Sequence, residues 1–273
     1  MVLHPNPPTA ISSSLKTPVP AWDAVSRTQK PPASSWWLIA QTDHAALAGD
    51  LAANLASPDF PGLDAAVRES ISLHDAGWAQ FDSVQLPKRE LPAWDSSPHH
   101  SHIQNDRPLS FLDVKPADFL VAWTGSIERA TRSSAIGGIL VSHHFSRIAQ
   151  TRLRLAGDPV ADTERIRYFL EGETERRRDL GHQTARTAQE IEGLVDVLQL
   201  CDPLSLYLCC GASEPVEFPQ KAGAQTIHIR REEQMYVTTP SIFGSGVSLG
   251  VTARPFPACT DPHPAVTIPF LLA

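Results

Sequence analysis

Four helical stretches of this sequence carry a histidine or an aspartate on the face that their apolar residues define, and this pattern most narrows the fold. His44 recurs in three- and four-residue steps with Leu47, Leu51 and Leu55, and His74 with Val67 and Ile71. His144 shares a stripe with Leu140, Val141 and Ile148, and Asp202 shares one with Leu194, Val195, Leu198 and Leu206. Residues at such spacing lie on one side of a helix. A charged carboxylate facing a core is costly unless it is paired or holds a cation. Packed helices could bring these groups to one point.

The stretch "SISLHDAGW" sets His74 and Asp75 side by side ahead of Gly77. Adjacent helical residues diverge by about 100 degrees, so both reach one ion only where the helix loosens, and Gly77 is read as that stop. Alternatively, each grips its own ion, with the carboxylate bridging. Asp202 stands directly before Pro203, which leaves two readings: a ligand, or the N-cap of a helix starting at Pro203.

Around these stripes, residues 1–34 are rich in Pro, Ser and Thr and read as a flexible arm, and "SSWWLIAQ" reads as a short buried strand. Helices are expected from about Asp43, over about 63–75, 117–129 and 134–155, through the charged "ADTERIRYFLEGETERRRDL", and over 187–210. Residues 82–115 form a long irregular excursion containing His99, His100 and His102. After Gly211 the alternation in "TIHIR", "QMYVTT" and "VSLGVTARPF" predicts two or three strands. The expected fold is mainly α: a helical bundle over residues 35–211 with a small C-terminal β appendage, 212–273, packing on the same domain.

A formal net charge of -7 removes the broad basic field that nucleic acid would need. Cys201, Cys209, Cys210 and Cys259 make no CxxC pair and read as ordinary thiols of a reducing compartment. The N-terminal residues lack a signal-peptide core, and no apolar run is long enough to span a bilayer. The expected setting is cytoplasmic, with a small-molecule substrate, no nucleic acid and no membrane.

In order along the chain, "QTDHAALAG", "LHDAGW", "VSHHF" and "LQLCDPLSLYLCCG" resemble the HD-domain superfamily of metal-dependent phosphohydrolases, and most closely an uncharacterised family related to it. The resemblance implies an HD-like bundle in which His44, the His74–Asp75 doublet and Asp202 hold a metal, with His144 as the extra histidine of a second ion and Asp75 as the catalytic carboxylate. The second histidine of a dinuclear site is open among His143, His99, His100 and His102. Iron or manganese is the first choice for this mixed N/O set, with zinc or magnesium as the alternatives and one ion or two. Gln41, Trp78 and His143 are the candidate substrate contacts.

Three functions follow as expectations. The first is hydrolysis of a small phosphate ester or nucleotide-like substrate by metal-activated water. The second is an HD-type diiron oxygenase acting on a small metabolite, and the third is a non-catalytic, metal-stabilised binding protein. No phosphate-cradling loop stands out, only scattered Arg68, Arg129 and Arg147.

Overall fold

The computed structural model describes residues 1–6, 17–30, 33, 35–85, 103–104, 107–257 and 264–273. In chain order the elements are β1 (Val2–Pro5), β2 (Val19–Pro20), α1 (Ala21–Thr28), β3 (Trp36–Ile39), α2 (Gln41–Ala53), α3 (Ala65–Ser72), α4 (Ala79–Gln85), β4 (Ile103–Gln104) and β5 (Arg107–Pro108). Then follow α5 (Pro116–Ser133), α6 (Ala135–Leu155), α7 (Val160–Gly181), α8 (Ala188–Cys209), β6 (Val216–Ala222), β7 (Gln225–Glu232), β8 (Met235–Thr239), β9 (Val247–Phe256) and β10 (Val266–Leu272).

Helix α8 is the axis of the molecule. Thr187 starts it with a capping box to Glu190, and from Leu194 onward it is buried on nearly all sides. Pro203 lies inside this helix, and Asp202 keeps helical geometry, so Asp202 is no N-cap. An interior proline costs about 3 kcal/mol. Burial of Leu198, Leu200, Leu204 and Leu208 around it outweighs that, each such side chain contributing about 1.5–3 kcal/mol.

The mainly α expectation is corrected by the sheet. The described residues are 53% helix and 22% strand, and every strand but the separately paired β4 and β5 joins one curled, mixed eight-stranded sheet in the order β1-β3-β9-β10-β8-β7-β6-β2. The C-terminal strands are thus five of the eight in a layer that starts at the N-terminus. β3 joins them antiparallel to β9, with Trp36 opposite Phe256. β1 extends the sheet beyond β3, and β2 closes the other edge parallel to β6. Alternation in the C-terminal third revealed strands, but two- and four-residue strands near the N-terminus carry too few residues to show a period.

The same finding revises the arm. Val2 and Leu3 are fully buried, and α1 packs Ala21, Ala24 and Val25 into the core shared with α8. Residues 7–16 fall outside the described set, as do His99, His100, His102 and Cys259.

A second apolar cluster lies between α5, α6 and α7, where Trp123 stacks on Phe145 at 5.0 Å and contacts Phe169 at 5.9 Å. The charged helix α7 sends Ile166 and Phe169 into it and leaves its other faces in solvent. Among the described residues no helix is long and apolar enough to cross a membrane.

Candidate metal centre

Five ionisable side chains converge where α2, α3, α6 and α8 meet. His44 comes from α2, whose N-cap Ala40 offers no side-chain acceptor. Asp82 of α4 replaces it by accepting from the Gln41 backbone N–H at 2.6 Å. Helix α3 ends at Ser72, so His74 and Asp75 sit in the turn that precedes a short 3₁₀ turn, Ala76–Trp78. The loosened backbone lets both neighbours reach the cluster, as the doublet requires.

Gly77 does not stop the helix. It lies in the 3₁₀ turn, donates its N–H to Ser126 Oγ at 2.9 Å and presses on α5 so closely that a Cβ would fall 2.0 Å from the Ala122 carbonyl oxygen. Its role is close approach, which holds the His74–Asp75 turn against α5.

The ligand-type atoms form two overlapping triads, His44/His74/Asp75 and His74/His144/Asp202. His44 Nε2 is 2.8 Å from Asp75 Oδ2, His74 Nε2 is 3.3 Å from Asp202 Oδ1, and His144 Nε2 is 3.6 Å from Asp202 Oδ2. Two donors at right angles about 2.1 Å from one ion lie about 3.0 Å apart, so the first two spacings suit a shared cation.

Hydrogen bonds on the far side of each ring sort the histidines. Ser205 Oγ donates to the Asp202 carbonyl at 2.8 Å, so it must accept from His44 Nδ1–H at 2.9 Å. His74 Nδ1–H donates to the Ile71 carbonyl at 2.8 Å. With Nδ1 so committed, both rings point Nε2 at the carboxylates, and a metal would take the place of any proton on that atom. His74 Nε2 is buried and has no aligned hydrogen-bond partner. His144 is the reverse. The Gln199 amide nitrogen donates to His144 Nδ1 at 2.7 Å and lies 3.3 Å from the His144 carbonyl, which orients the amide and leaves the proton on Nε2.

The electrostatics say that the cluster wants a positive charge. Burial pulls the His74 pKa down, but Asp75 and Asp202 more than reverse this and lift it to about 9. Burial pushes the Asp202 carboxyl up, yet His74 and the other imidazoles hold it far below its ordinary value. Burial keeps His144 neutral, at about 4, against the pull of Asp202. A divalent ion would replace the proton that His74 otherwise takes, so the residues present fit a metal.

Access is on the carboxylate side. The side chains of His44 and His74 are 0% exposed, whereas those of Asp75 and Asp202 keep 10% and 13%. The remaining candidates are distributed unequally. Gln41 is buried one turn before His44, and its Oε1 has no hydrogen-bond partner. Trp78 is buried in the aromatic core, 5.7 Å from Phe81. His143 interacts with Arg177, Glu192 and Arg147; burial first, then the two guanidiniums, lower its pKa to about 4. Arg147 is held by Asp196 and Glu192, and Arg68 by the Leu63 carbonyl.

Two residues here escaped the sequence reading. Gln199 and Ser205 flank Asp202 by three residues on either side, which places them on its face of α8, and that spacing was the available signal.

A family model described as "Protein of unknown function (DUF3891)" matches residues 29–258, and the chain belongs to that family. No curated protein and no solved structure matches it.

Proposed function

We propose that this member of the DUF3891 family is a hydrolase that works through one divalent metal ion held by His44, His74, Asp75 and Asp202. The supporting observation is the pair of buried Nε2 atoms of His44 and His74, each facing a carboxylate oxygen while the opposite ring nitrogen is hydrogen-bonded away from the cluster. The order of these residues along the chain, His then His-Asp then Asp, is the basis for reading the site as HD-type.

A divalent ion bound there supplies a Lewis acid and a water whose pKa falls toward neutrality. The protein's own groups do the rest. Asp75, whose side chain keeps 10% exposure, is the carboxylate placed to accept a proton from that water. Asp202 and His144 form the opposite wall, with His144 Nε2–H as a fixed donor. Gln41 Oε1 is a free acceptor for a substrate N–H or O–H. Arg147, Arg68 and Arg177 are engaged elsewhere in the fold, so a small phosphate ester or nucleotide-like substrate would rely on the metal for its anionic oxygen.

The second triad, His74/His144/Asp202, is the observation behind a diiron oxygenase reading. The proton that Gln199 fixes on His144 Nε2 argues against it, since a ligating nitrogen must be bare.

Elemental analysis of anaerobically purified protein, beside His74→Ala and Asp75→Ala, tests the proposal together with hydrolysis of bis-p-nitrophenyl phosphate. One exchangeable ion per chain, lost in both variants, and oxygen-independent turnover are expected. Two irons per chain with strict oxygen dependence would replace the hydrolase by the oxygenase. A wild-type chain that takes up no metal would overturn the ligand assignment.

A further inference from the structure

On the sheet side of the molecule, at the C-terminal end of α8, lies a cavity of about 440 Å³ separate from the His/Asp cluster. Its walls combine His4 of β1, Gly211 just after α8, Arg231, Tyr236 and Ser248 with the apolar β10 residue Phe270. We propose that this cavity is a binding site for a small organic carboxylate with an apolar body.

Arg231 carries the argument. Its Nε donates to the Glu233 carbonyl at 3.0 Å, and its guanidinium lies 5.8 Å from the centre of the Tyr236 ring. Two tethers thus fix its place, yet among the described residues it makes no ion pair. Other described arginines also lack an ion pair, Arg68 and Arg177 among them, but of the described arginines Arg231 alone lines this cavity. A held guanidinium with N–H donors to spare matches a carboxylate, which it can grip through two parallel bonds.

The rest of the wall defines what accompanies the charge. His4 Nδ1–H donates to the Cys209 carbonyl at 2.9 Å, which leaves Nε2 as an acceptor. Burial, the largest influence, lowers the His4 pKa, so the ring stays neutral and does not compete as a cation. Gly211 makes the space: at φ 64° it lies under the imidazole, and a Cβ there would sit 2.7 Å from His4 Cε1. Phe270, Ile268 and Pro269 of β10 and the Tyr236 ring supply the apolar wall. The volume falls within the roughly 300–1,000 Å³ typical of small-molecule sites.

Isothermal titration with benzoate as the probe, benzyl alcohol as its neutral counterpart and 4-hydroxybenzoate as a version with an added donor tests the site. Saturable binding of benzoate is expected, with benzyl alcohol much weaker and 4-hydroxybenzoate tighter through His4 Nε2. Arg231→Ala should weaken benzoate roughly 10- to 100-fold, and Arg231→Gln should do the same, with metal content unchanged in both. His74→Ala should bind benzoate as the wild type does. Absent saturation, equal binding to Arg231→Ala, or loss in His74→Ala alone would overturn the proposal, the last by placing the anion at the metal. The outcome is independent of whether the metal centre is hydrolytic.

Discussion

Replacing Ser205 by alanine tests the reading of the metal centre at its most exposed point of logic. Ser205 is fully buried, and its hydroxyl joins two ligands: it accepts from His44 Nδ1 and donates to the Asp202 carbonyl. Without it, the metal-free protein has an escape. His44 can move its proton to Nε2 and donate to Asp75 Oδ2, 2.8 Å away, so apo stability should fall by only about 1 kcal/mol. The metal-bound protein has no such route, because the ion needs Nε2 bare and strands an Nδ1–H in the core. An unsatisfied buried donor costs about 1–3 kcal/mol, which corresponds to about 10- to 100-fold in metal affinity. A chelator-competition titration with Mn²⁺ or Zn²⁺, alongside thermal melts of the apo protein, reads both quantities. If Ser205→Ala holds its metal within about twofold of wild type, the assigned histidine tautomer is wrong and the ligand set falls with it.

Other outcomes follow from the same geometry. His144→Ala should keep one metal per chain while His74→Ala loses it, as measured by elemental analysis; a stoichiometry that falls from two to one in His144→Ala would instead make His144 a ligand. Gly77→Ala should destabilise the fold by about 3 kcal/mol or more, since its Cβ meets the Ala122 carbonyl, an unyielding backbone atom; a chemical-denaturation curve matching wild type would refute that contact. His143 has a folded pKa of about 4 against 6.5 unfolded, so the unfolded chain takes up the proton first on acidification. Its contribution is neutral above pH 6.5, destabilising progressively from 6.5 to 4 and constant below, and His143→Gln should flatten that part of the stability curve.

How much of this was legible along the chain depends on range. His44, His74, His144 and Asp202 announce themselves because inward polar positions on apolar stripes break a local rule, and such breaks concentrate where a protein does chemistry. The helices that carry or lead into them appear at nearly the expected limits because caps such as Asp64, Ser134 and Thr187 act within one turn. Asp202 shows where local reasoning stops: Pro203 argues for a helix start, and only the burial of α8 on all sides carries the helix through it. Trp78 shows the same limit, for its place in the aromatic core depends on α5 and α6, distant in sequence.

The sequence by itself determined which polar groups face inward, since periodicity and the cost of burying charge are properties of short segments. Tertiary structure alone decided the eight-stranded sheet, because pairing β3 with β9 joins residues more than 200 positions apart and no local pattern encodes a partner. It also decided the roles within the cluster. Which nitrogen of each histidine is bare follows from Ser205, Ile71 and Gln199 on the far side of each ring, and those hydrogen bonds exist only once the helices have packed.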